Sequence, residues 1–334
     1  MVHSGKDGMS DYLYDAVLVL SFGGPDKPED VMPFLENVLR GRNVPRERML
    51  EVAENYLRFG GKSPLNEQNR ALIAALGREL EANGIRLPIY WGNRNWHPLL
   101  ADTLRRMRDA GVQRALVFIT SAYSSYSSCR QYREDIERAQ AEVGPYAPEC
   151  DKIRHFHDRP GFVQPLVENV RAKLNLFPEA HLLLTAHSIP LAMAESSRYV
   201  DQLTQTARLV AEGAAHSEHR LVYQSRSGPP RQAWLEPDIK DALSEIAAAG
   251  GCRNVVVAPI GFLSDHMEVL IDLDTQAQQH ARSLGLTMAR AATVGTHPKF
   301  IALIRELIEE RIRLGPAADG CLENCCPYPT ERRA

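Results

Sequence analysis

Residues 254–283, NVVVAPIGFLSDHMEVLIDLDTQAQQHARS, contain an apolar run of strand length, a turn with proline and glycine, and a segment of helical period. We predict a buried strand at 254–259 and a helix at 266–283, because continuous apolar runs bounded by turn residues are typical of parallel strands. The pattern recurs along the chain, with further strands predicted at 16–20, 87–91, 114–118, 181–185, 221–224 and 286–289. Strands that alternate with helices predict an α/β fold.

The length of 334 residues favours two domains over one large doubly wound sheet. A stretch with two prolines and a glycine, VGPYAPECD at 143–151, marks a boundary near residue 150. We therefore predict domains at 1–150 and 151–298, each a parallel sheet flanked by helices. A final helix and a Cys-rich extension occupy 299–334.

The composition is that of an ordinary globular protein, with 44% hydrophobic residues, 24% charged residues and a net charge of −3. Nucleic-acid binders usually carry a basic domain, which this chain lacks, so we expect no nucleic-acid partner. No run is apolar enough to cross a bilayer, and the first fifteen residues lack the apolar segment of a secretory signal. These features predict a cytoplasmic protein. In that reducing compartment, the six cysteines are not expected to form structural disulfides.

Common nucleotide and hydrolase motifs are absent from the sequence. There is no G-x-x-x-x-G-K-[ST] phosphate loop and no G-x-S-x-G elbow, and Gly23-Gly24 lacks the third glycine of the dinucleotide motif. The polar residues that could carry chemistry instead follow the carboxyl ends of predicted strands, where open α/β sheets bind their ligands.

His187 follows the strand predicted at 181–185, and Glu268 and Asp272 follow the strand at 254–259. His187 is either a ligand at the mouth of a cleft or a histidine that satisfies backbone groups. The two carboxylates are four residues apart on one helix face among apolar residues, so they need a metal, a base or a proton path unless that face is solvated. His187 and Glu268 could bind one divalent ion weakly, with open coordination positions.

Two further loops hold polar residues at element boundaries. In residues 57–66, LRFGGKSPLN, a double-glycine turn places Ser63 at the predicted start of a helix, where its hydroxyl is either an N-cap or a ligand contact. Residues 120–132, TSAYSSYSSCRQY, end at Tyr132 and could lie against a flat aromatic ring or form a solvated loop.

These segments together resemble the ferrochelatases, the enzymes that insert Fe²⁺ into a porphyrin. The resemblance is carried, in the family's order, by LVLSFGGP at 18–25, GGKSP at 60–64, AHSIP at 186–190, QSRSGPP at 224–230, WLEPD at 234–238 and PIGFLSDHME at 259–268. It extends over about residues 14–312. It implies two Rossmann-like domains with the porphyrin cleft between them, and a C-terminal helix that returns to the first domain.

The resemblance implies that His187 and Glu268 are catalytic and bind the iron substrate, with Asp272 on the proton path. It also implies three substrate-binding residues, namely Phe22, Ser63 and Tyr132. Phe22 stands where some bacterial members have a tyrosine that reaches the iron, and a phenyl ring cannot be a ligand. The favoured porphyrin is coproporphyrin III, which would give coprohaem, and protoporphyrin IX, which would give protohaem, is next.

Three of the six cysteines lie in the last fourteen residues, in a C-x₃-C-C pattern. Some ferrochelatases hold a [2Fe–2S] cluster on one mid-chain cysteine and three from a C-terminal extension. The resemblance therefore implies a cluster on Cys129, Cys321, Cys325 and Cys326. A cluster would anchor a tail that buries little apolar surface, while a Cys₄ zinc site or surface thiols remain open.

Two alternatives to a ferrochelatase remain open at this point. One is a cobalt or nickel chelatase of the same fold, and the other is a non-catalytic carrier of porphyrin or metal. The expected partners are the porphyrin and ferrous iron, and the product could be transferred to the next enzyme of the haem pathway.

Overall fold

Two four-stranded parallel sheets organise the chain in the computed structural model, which describes residues 13–41, 44–228, 231–316 and 325–328. The first sheet has the order β2-β1-β3-β4 and the second β6-β5-β7-β8. The strands are β1 (Ala16–Ser21), β2 (Ile89–Asn93), β3 (Arg114–Ile119), β4 (Glu149–Lys152), β5 (His181–His187), β6 (His219–Gln224), β7 (Asn254–Ala258) and β8 (Thr287–Arg290). The predicted α/β class with parallel sheets is confirmed.

Helices connect the strands and cover both sheets. They are α1 (Val31–Val38), α2 (Arg46–Arg58), α3 (Leu65–Ala82), α4 (Leu100–Asp109), α5 (Gln131–Val143), α6 (Pro160–Leu174), α7 (Leu191–Glu195), α8 (Tyr199–Gly213), α9 (Ile239–Ala249), α10 (Gln278–Ser283) and α11 (Pro298–Leu314). A 3₁₀ turn at Pro28–Asp30 precedes α1, and π-helical segments at Tyr126–Arg130 and Val269–Ala277 precede α5 and α10. No helix of the described ranges is long and apolar enough to cross a membrane.

Two local features differ from the sequence-based expectation. Strand β4 (Glu149–Lys152, ECDK) was not predicted, because it lies at the edge of the sheet as the described residues form it, next to β3, and lacks an apolar run. The boundary predicted near residue 150 falls inside this strand. The helix predicted at 266–283 is helical from Met267 on, but it is π-helical over Val269–Ala277 and becomes α-helical again only at Gln278–Ser283. Apolar periodicity does not distinguish an α-helix from a π-helix.

The central strand β1 explains why the first sheet is buried on both faces. All six of its residues are buried, and alternate side chains enter different clusters, with Val17 and Val19 on one face and Leu18 and Leu20 on the other. Such continuous apolar strands are expected where helices cover both faces of a parallel sheet.

Helix α11 joins the two halves of the chain, the first half with strands β1 to β4 and the second half, from α6 on, with strands β5 to β8. It packs on α6 of the second half and on α3 of the first half. Phe300 of α11 lies 5.8 Å from Phe156 and 6.1 Å from Phe162, measured between ring centroids. On the α3 side, Arg305 Nε lies 2.9 Å from Glu79 Oε1. The halves therefore share one apolar core along this helix.

Loops at the carboxyl ends of the two sheets also contact each other. The buried hydroxyl of Tyr123, beyond β3, donates to the carbonyl of Ile260, beyond β7, at 2.9 Å. The backbone N–H and hydroxyl of Ser124 donate to Gln202 Oε1 of α8 at 2.7 and 2.9 Å. These bonds fix the loops after β3 and β7, and the segment after β7 carries Glu268.

Candidate functional site

His187 is the last residue of β5, and three contacts define its orientation. Its Nδ1 lies at hydrogen-bond distance from the carbonyl of Ser188, so the neutral ring carries its proton on Nδ1. The other nitrogen, Nε2, lies 3.4 Å from Glu268 Oε1. The hydroxyl of Tyr199 donates to the His187 carbonyl at 3.0 Å. The imidazole therefore presents Nε2 to the carboxylate.

Glu268 immediately precedes the π-helical segment that begins at Val269. Its carbonyl accepts a hydrogen bond from Gln224 Nε2 at 3.2 Å, and its N–H donates to His266 Nδ1 at 3.2 Å. Its side chain is 48% exposed, so the carboxylate is open to a ligand while its backbone is fixed.

The two side chains influence each other's protonation. Burial disfavours the imidazolium of His187, but the Glu268 carboxylate and the Ser188 carbonyl outweigh burial and raise the His187 pKa to about 9. Burial likewise opposes ionisation of Glu268, yet the charge of His187 lowers its pKa below the usual value. Without a metal, the pair is therefore an ion pair near neutral pH, and an incoming divalent ion must displace one proton from His187.

Asp272 lies four residues beyond Glu268 in the π-helical segment. Its carboxylate accepts a hydrogen bond from the hydroxyl of Ser225, which follows β6. Burial, with the negative charge of Glu268, raises the Asp272 pKa to about 6, although the Ser225 hydrogen bond opposes this shift. Asp272 can therefore exchange a proton near neutral pH beside an ionised carboxylate.

Residues that sequence reasoning did not single out complete this group. The His266 ring accepts a hydrogen bond from the Glu268 N–H on Nδ1, and burial lowers the His266 pKa, although the charge of Glu268 opposes this shift. It stands in the quoted segment two residues before Glu268, which is the signal that could have indicated it. Burial and the charge of Glu268 raise the pKa of Tyr56, on α2 of the first half, and nothing in the local sequence marks this tyrosine.

The three predicted porphyrin contacts belong to the first half of the chain. Ser63 is buried, and its hydroxyl accepts a hydrogen bond from the N–H of Leu65 at 3.3 Å, as expected for a residue before a helix. Phe22 is 38% exposed after β1, whereas Tyr132 is buried at the start of α5. The guanidinium of Arg94 joins the last two, because its carbon lies 5.8 Å from the Phe22 ring centre and 4.5 Å from the Tyr132 ring centre.

Cys129 is buried in the π-helical segment before α5. The Lys152 ammonium group donates to its sulfur at 3.0 Å. An ammonium group can only donate, so the Cys129 sulfur is the acceptor of this hydrogen bond.

The described part of the C-terminal tail lies beside the Cys129 loop. The Tyr328 ring packs edge-on against Tyr126, with centroids 4.8 Å apart, and the sulfurs of Cys325 and Cys326 are 3.5 Å apart. Cys321 lies outside the described residues. Within the described ranges, no group of three or more His, Cys, Asp or Glu side chains is arranged to hold a metal ion.

The chain is an α/β protein with two parallel sheets, in which a histidine at the end of β5 faces a carboxylate beyond β7, and its fold is that of solved chelatases. Solved structures with this fold include the sirohydrochlorin chelatase SirB from Bacillus subtilis subspecies spizizenii in complex with cobalt, with a TM-score of 0.55 and 13% identity over 92% of this chain and 99% of that chain. CbiX, the terminal enzyme for biosynthesis of sirohaem in denitrifying bacteria, gives a TM-score of 0.51 and 15% identity over 88% of this chain and 98% of that chain. At this identity, they support the fold alone.

Sequence comparisons give the family. The ferrochelatase family model matches residues 14–312. A ferrochelatase from Rhodopirellula baltica is 53% identical, over 96% of this chain and 95% of that protein. Coproporphyrin III ferrochelatases from Nocardia farcinica and Frankia alni are 49% and 50% identical, over 93% and 95% of this chain and 96% and 87% of those proteins.

The chain therefore belongs to the ferrochelatase family. Its activity is that of a lyase that inserts ferrous iron into a porphyrin in haem biosynthesis. The predictions of the family, of the enzyme class and of porphyrin and iron as substrates are confirmed. A cobalt or nickel chelatase and a non-catalytic carrier are not favoured.

Proposed function

We propose that the porphyrin substrate is coproporphyrin III and the product coprohaem. This assignment rests on the relatives from Nocardia farcinica and Frankia alni, whose names specify coproporphyrin III and which match nearly the whole chain. Protoporphyrin IX, with protohaem as product, is the second candidate, because the Rhodopirellula baltica relative is named only as a ferrochelatase.

We further propose that His187 and Glu268 are catalytic and receive the iron substrate. The observation that carries this assignment is the 3.4 Å approach of His187 Nε2 to Glu268 Oε1, from two different segments of the second half. An imidazole nitrogen and a carboxylate oxygen suit Fe²⁺, and two protein ligands leave coordination positions open for the porphyrin nitrogens.

Metallation exchanges two pyrrole N–H protons for one Fe²⁺ ion, so the site must accept or relay two protons. When iron leaves the pair for the macrocycle, His187 Nε2 is free to accept a proton, and Glu268 stays ionised beside it. Asp272, whose pKa is raised to about 6, is the proposed next acceptor toward solvent. Phe22, Ser63 and Tyr132 are proposed to contact the porphyrin from the first half.

Steady-state assays with Fe²⁺ and each porphyrin, followed by the Soret shift, test the substrate assignment. We expect kcat/KM to be higher for coproporphyrin III, and equal or reversed values would overturn the assignment.

His187→Ala and Glu268→Ala should each reduce turnover by at least about a hundredfold, as expected for loss of a proton-transfer group. A variant such as His219→Ala, at the partly buried start of β6, should retain the wild-type rate.

A [2Fe–2S] cluster on Cys129, Cys321, Cys325 and Cys326 is also proposed. Three contacts support the fit: the Lys152 ammonium on the Cys129 sulfur, the neighbouring thiols of Cys325 and Cys326, and the packing of Tyr328 on Tyr126. When bound, such a cluster supplies sulfur-to-iron bonds that join the tail to the loop before α5. Here Cys129 would hold the loop side and the other three cysteines the tail side.

The visible spectrum of full-length protein purified without oxygen tests the cluster. Sulfur-to-iron charge-transfer bands are expected, and Cys129→Ser should remove them while Cys252→Ser retains them. A colourless protein that contains zinc would overturn the proposal.

Three further expectations stay predictions. They are the domain limits 1–150, 151–298 and 299–334, the cytoplasmic location, and the transfer of product to the next haem-pathway enzyme.

A further inference from the structure

The first turns of α3 carry three amide side chains that reach three separate places. Asn66 Nδ2 donates to the Gly24 carbonyl at 2.7 Å, and Asn69 Nδ2 donates to Ser21 Oγ at 2.9 Å. These two bonds hold the loop after β1 within the first half. The third amide, Gln68, instead reaches the second half of the chain.

Gln68 binds both backbone groups of one residue, Asp265. Its Nε2 donates to the Asp265 carbonyl at 2.8 Å, and its Oε1 accepts from the Asp265 N–H at 2.9 Å. The partners are 197 residues apart in sequence. A side-chain amide that satisfies a donor and an acceptor of the same residue fixes both the position and the orientation of that peptide.

The side chain of Asp265 is held by residues of its own half. Its carboxylate accepts hydrogen bonds from Arg290 Nη1 at 3.0 Å and from Thr293 Oγ1 at 3.1 Å. The backbone is thus anchored by α3 and the side chain by the region around β8. Asp265 lies three residues before Glu268, so the anchored peptide begins the short segment that positions the Glu268 carboxylate.

We propose that Gln68 is a positioning residue for metal transfer, which sets the placement of Glu268 relative to His187. The inference rests on the proposed role of Glu268. His187 is placed by β5, whereas Glu268 follows an irregular segment after β7, and an irregular segment needs external contacts to hold a ligand in place. A displacement of about 1 Å between reacting groups can cost a large part of the rate.

Helix α3 also starts two residues after Ser63, whose hydroxyl accepts a hydrogen bond from the Leu65 N–H. One helix therefore supports a proposed porphyrin contact in the first half and the approach of the metal-site carboxylate in the second half. This arrangement predicts that loss of the Gln68 contacts affects iron transfer without weakening porphyrin binding, because the other amides of α3 remain bonded.

The test uses Gln68→Leu, which keeps the side-chain size but removes both hydrogen bonds, and Gln68→Asn, which stays polar but is one methylene too short. We expect kcat/KM for Fe²⁺ to fall about tenfold in each variant, as for the loss of one or two net hydrogen bonds, with KM for the porphyrin unchanged. The matched control is Gln140→Leu, which removes a bond of 2.7 Å to the Pro148 carbonyl away from Glu268 and should retain the wild-type rate.

A double-mutant cycle with Glu268→Gln distinguishes positioning from a general loss of stability. In the Glu268→Gln background, Gln68→Leu should have almost no further effect on kcat/KM for Fe²⁺. An equal loss in both backgrounds, or a loss seen in the porphyrin KM, would overturn the positioning role alone. A Glu268→Gln enzyme with the wild-type rate would overturn the proposed role of Glu268 and this inference with it.

Discussion

The hydroxyl of Ser225 donates a hydrogen bond to the carboxylate of Asp272 from a left-handed backbone, with φ of 64° at Ser225. A non-glycine residue in this region costs about 1 to 3 kcal/mol and persists only where the surroundings hold it. Gln224, the preceding residue, is held by its own bond to the Glu268 carbonyl. The end of β6 is therefore attached to both acidic residues, and the Ser225 backbone is strained at the point where it reaches Asp272.

The raised pKa of Asp272 predicts a pH-dependent loss of stability. Its pKa is about 6 in the folded protein against an ordinary value of 3.8, so the native state holds an extra proton between these values. Stability from this group is complete below pH 3.8 and is lost as the pH rises through 6. Asp272→Asn can still accept from Ser225 and does not ionise. Its unfolding free energy, relative to wild type, should increase by up to about 3 kcal/mol between pH 4 and 7.

Urea unfolding at several pH values measures this difference. Asp201→Asn, which removes an exposed carboxylate from the first turn of α8, is the control, and its difference from wild type should not increase over that range. A pH-independent difference for Asp272→Asn would contradict the assignment.

The raised pKa of His187 predicts that iron use improves with increasing pH. Below a pKa of about 9, the imidazole is protonated, and Fe²⁺ must displace that proton. KM for Fe²⁺ should therefore fall about tenfold per pH unit from pH 7 and level off near 9, as proton competition requires. Anaerobic steady-state assays give this profile, and the porphyrin KM from the same assays is the internal control. An iron KM that stays constant from pH 7 to 9 would be inconsistent with the ion pair.

The Tyr199 hydroxyl is predicted to stabilise the end of β5. It donates to the His187 carbonyl at 3.0 Å, and Tyr199→Phe leaves that carbonyl without its donor. The expected cost is about 1 to 3 kcal/mol in thermal or urea unfolding, with a moderate fall in kcat because the ring of His187 is less firmly placed. Tyr223→Phe, on the adjacent strand β6, removes a hydroxyl elsewhere and should cost less. Equal costs would mean that the His187 carbonyl gains nothing specific from Tyr199.

The sequence alone indicated those candidate site residues that lie at or beyond the carboxyl ends of strands. His187 and Glu268 could be selected because each stands just beyond an apolar run, and parallel strands bring such positions to one edge of a sheet. Asp272 followed from its spacing to Glu268. The contact of Gln68 with Asp265 and the effect of the Glu268 charge on the Tyr56 pKa could not be predicted, because these partners lie about two hundred residues apart in sequence and depend on how the two halves face each other. Strand β4 was missed because an edge strand needs no apolar run.

Arg94 provides the last prediction. Its guanidinium lies against two proposed porphyrin contacts and also forms a buried ion pair. Its side chain is 7% exposed and bonds to Asp135, which is 11% exposed. Removing one partner of a buried pair leaves the other charge uncompensated, and Asp135→Asn should therefore cost about 3 to 5 kcal/mol. It should also raise the porphyrin KM, because Arg94 lies against both Phe22 and Tyr132.

The matched control is Asp102→Asn, which breaks an ion pair with Arg105 on the surface of α4. There the side chains are 51% and 38% exposed, and exposed pairs contribute at most about 1 kcal/mol. Urea unfolding and porphyrin titration of both variants compare the two cases directly. If Asp135→Asn costs no more than Asp102→Asn, water must reach the Arg94 guanidinium. Arg94 would then be free to leave the aromatic rings, and the porphyrin-facing surface could not depend on it.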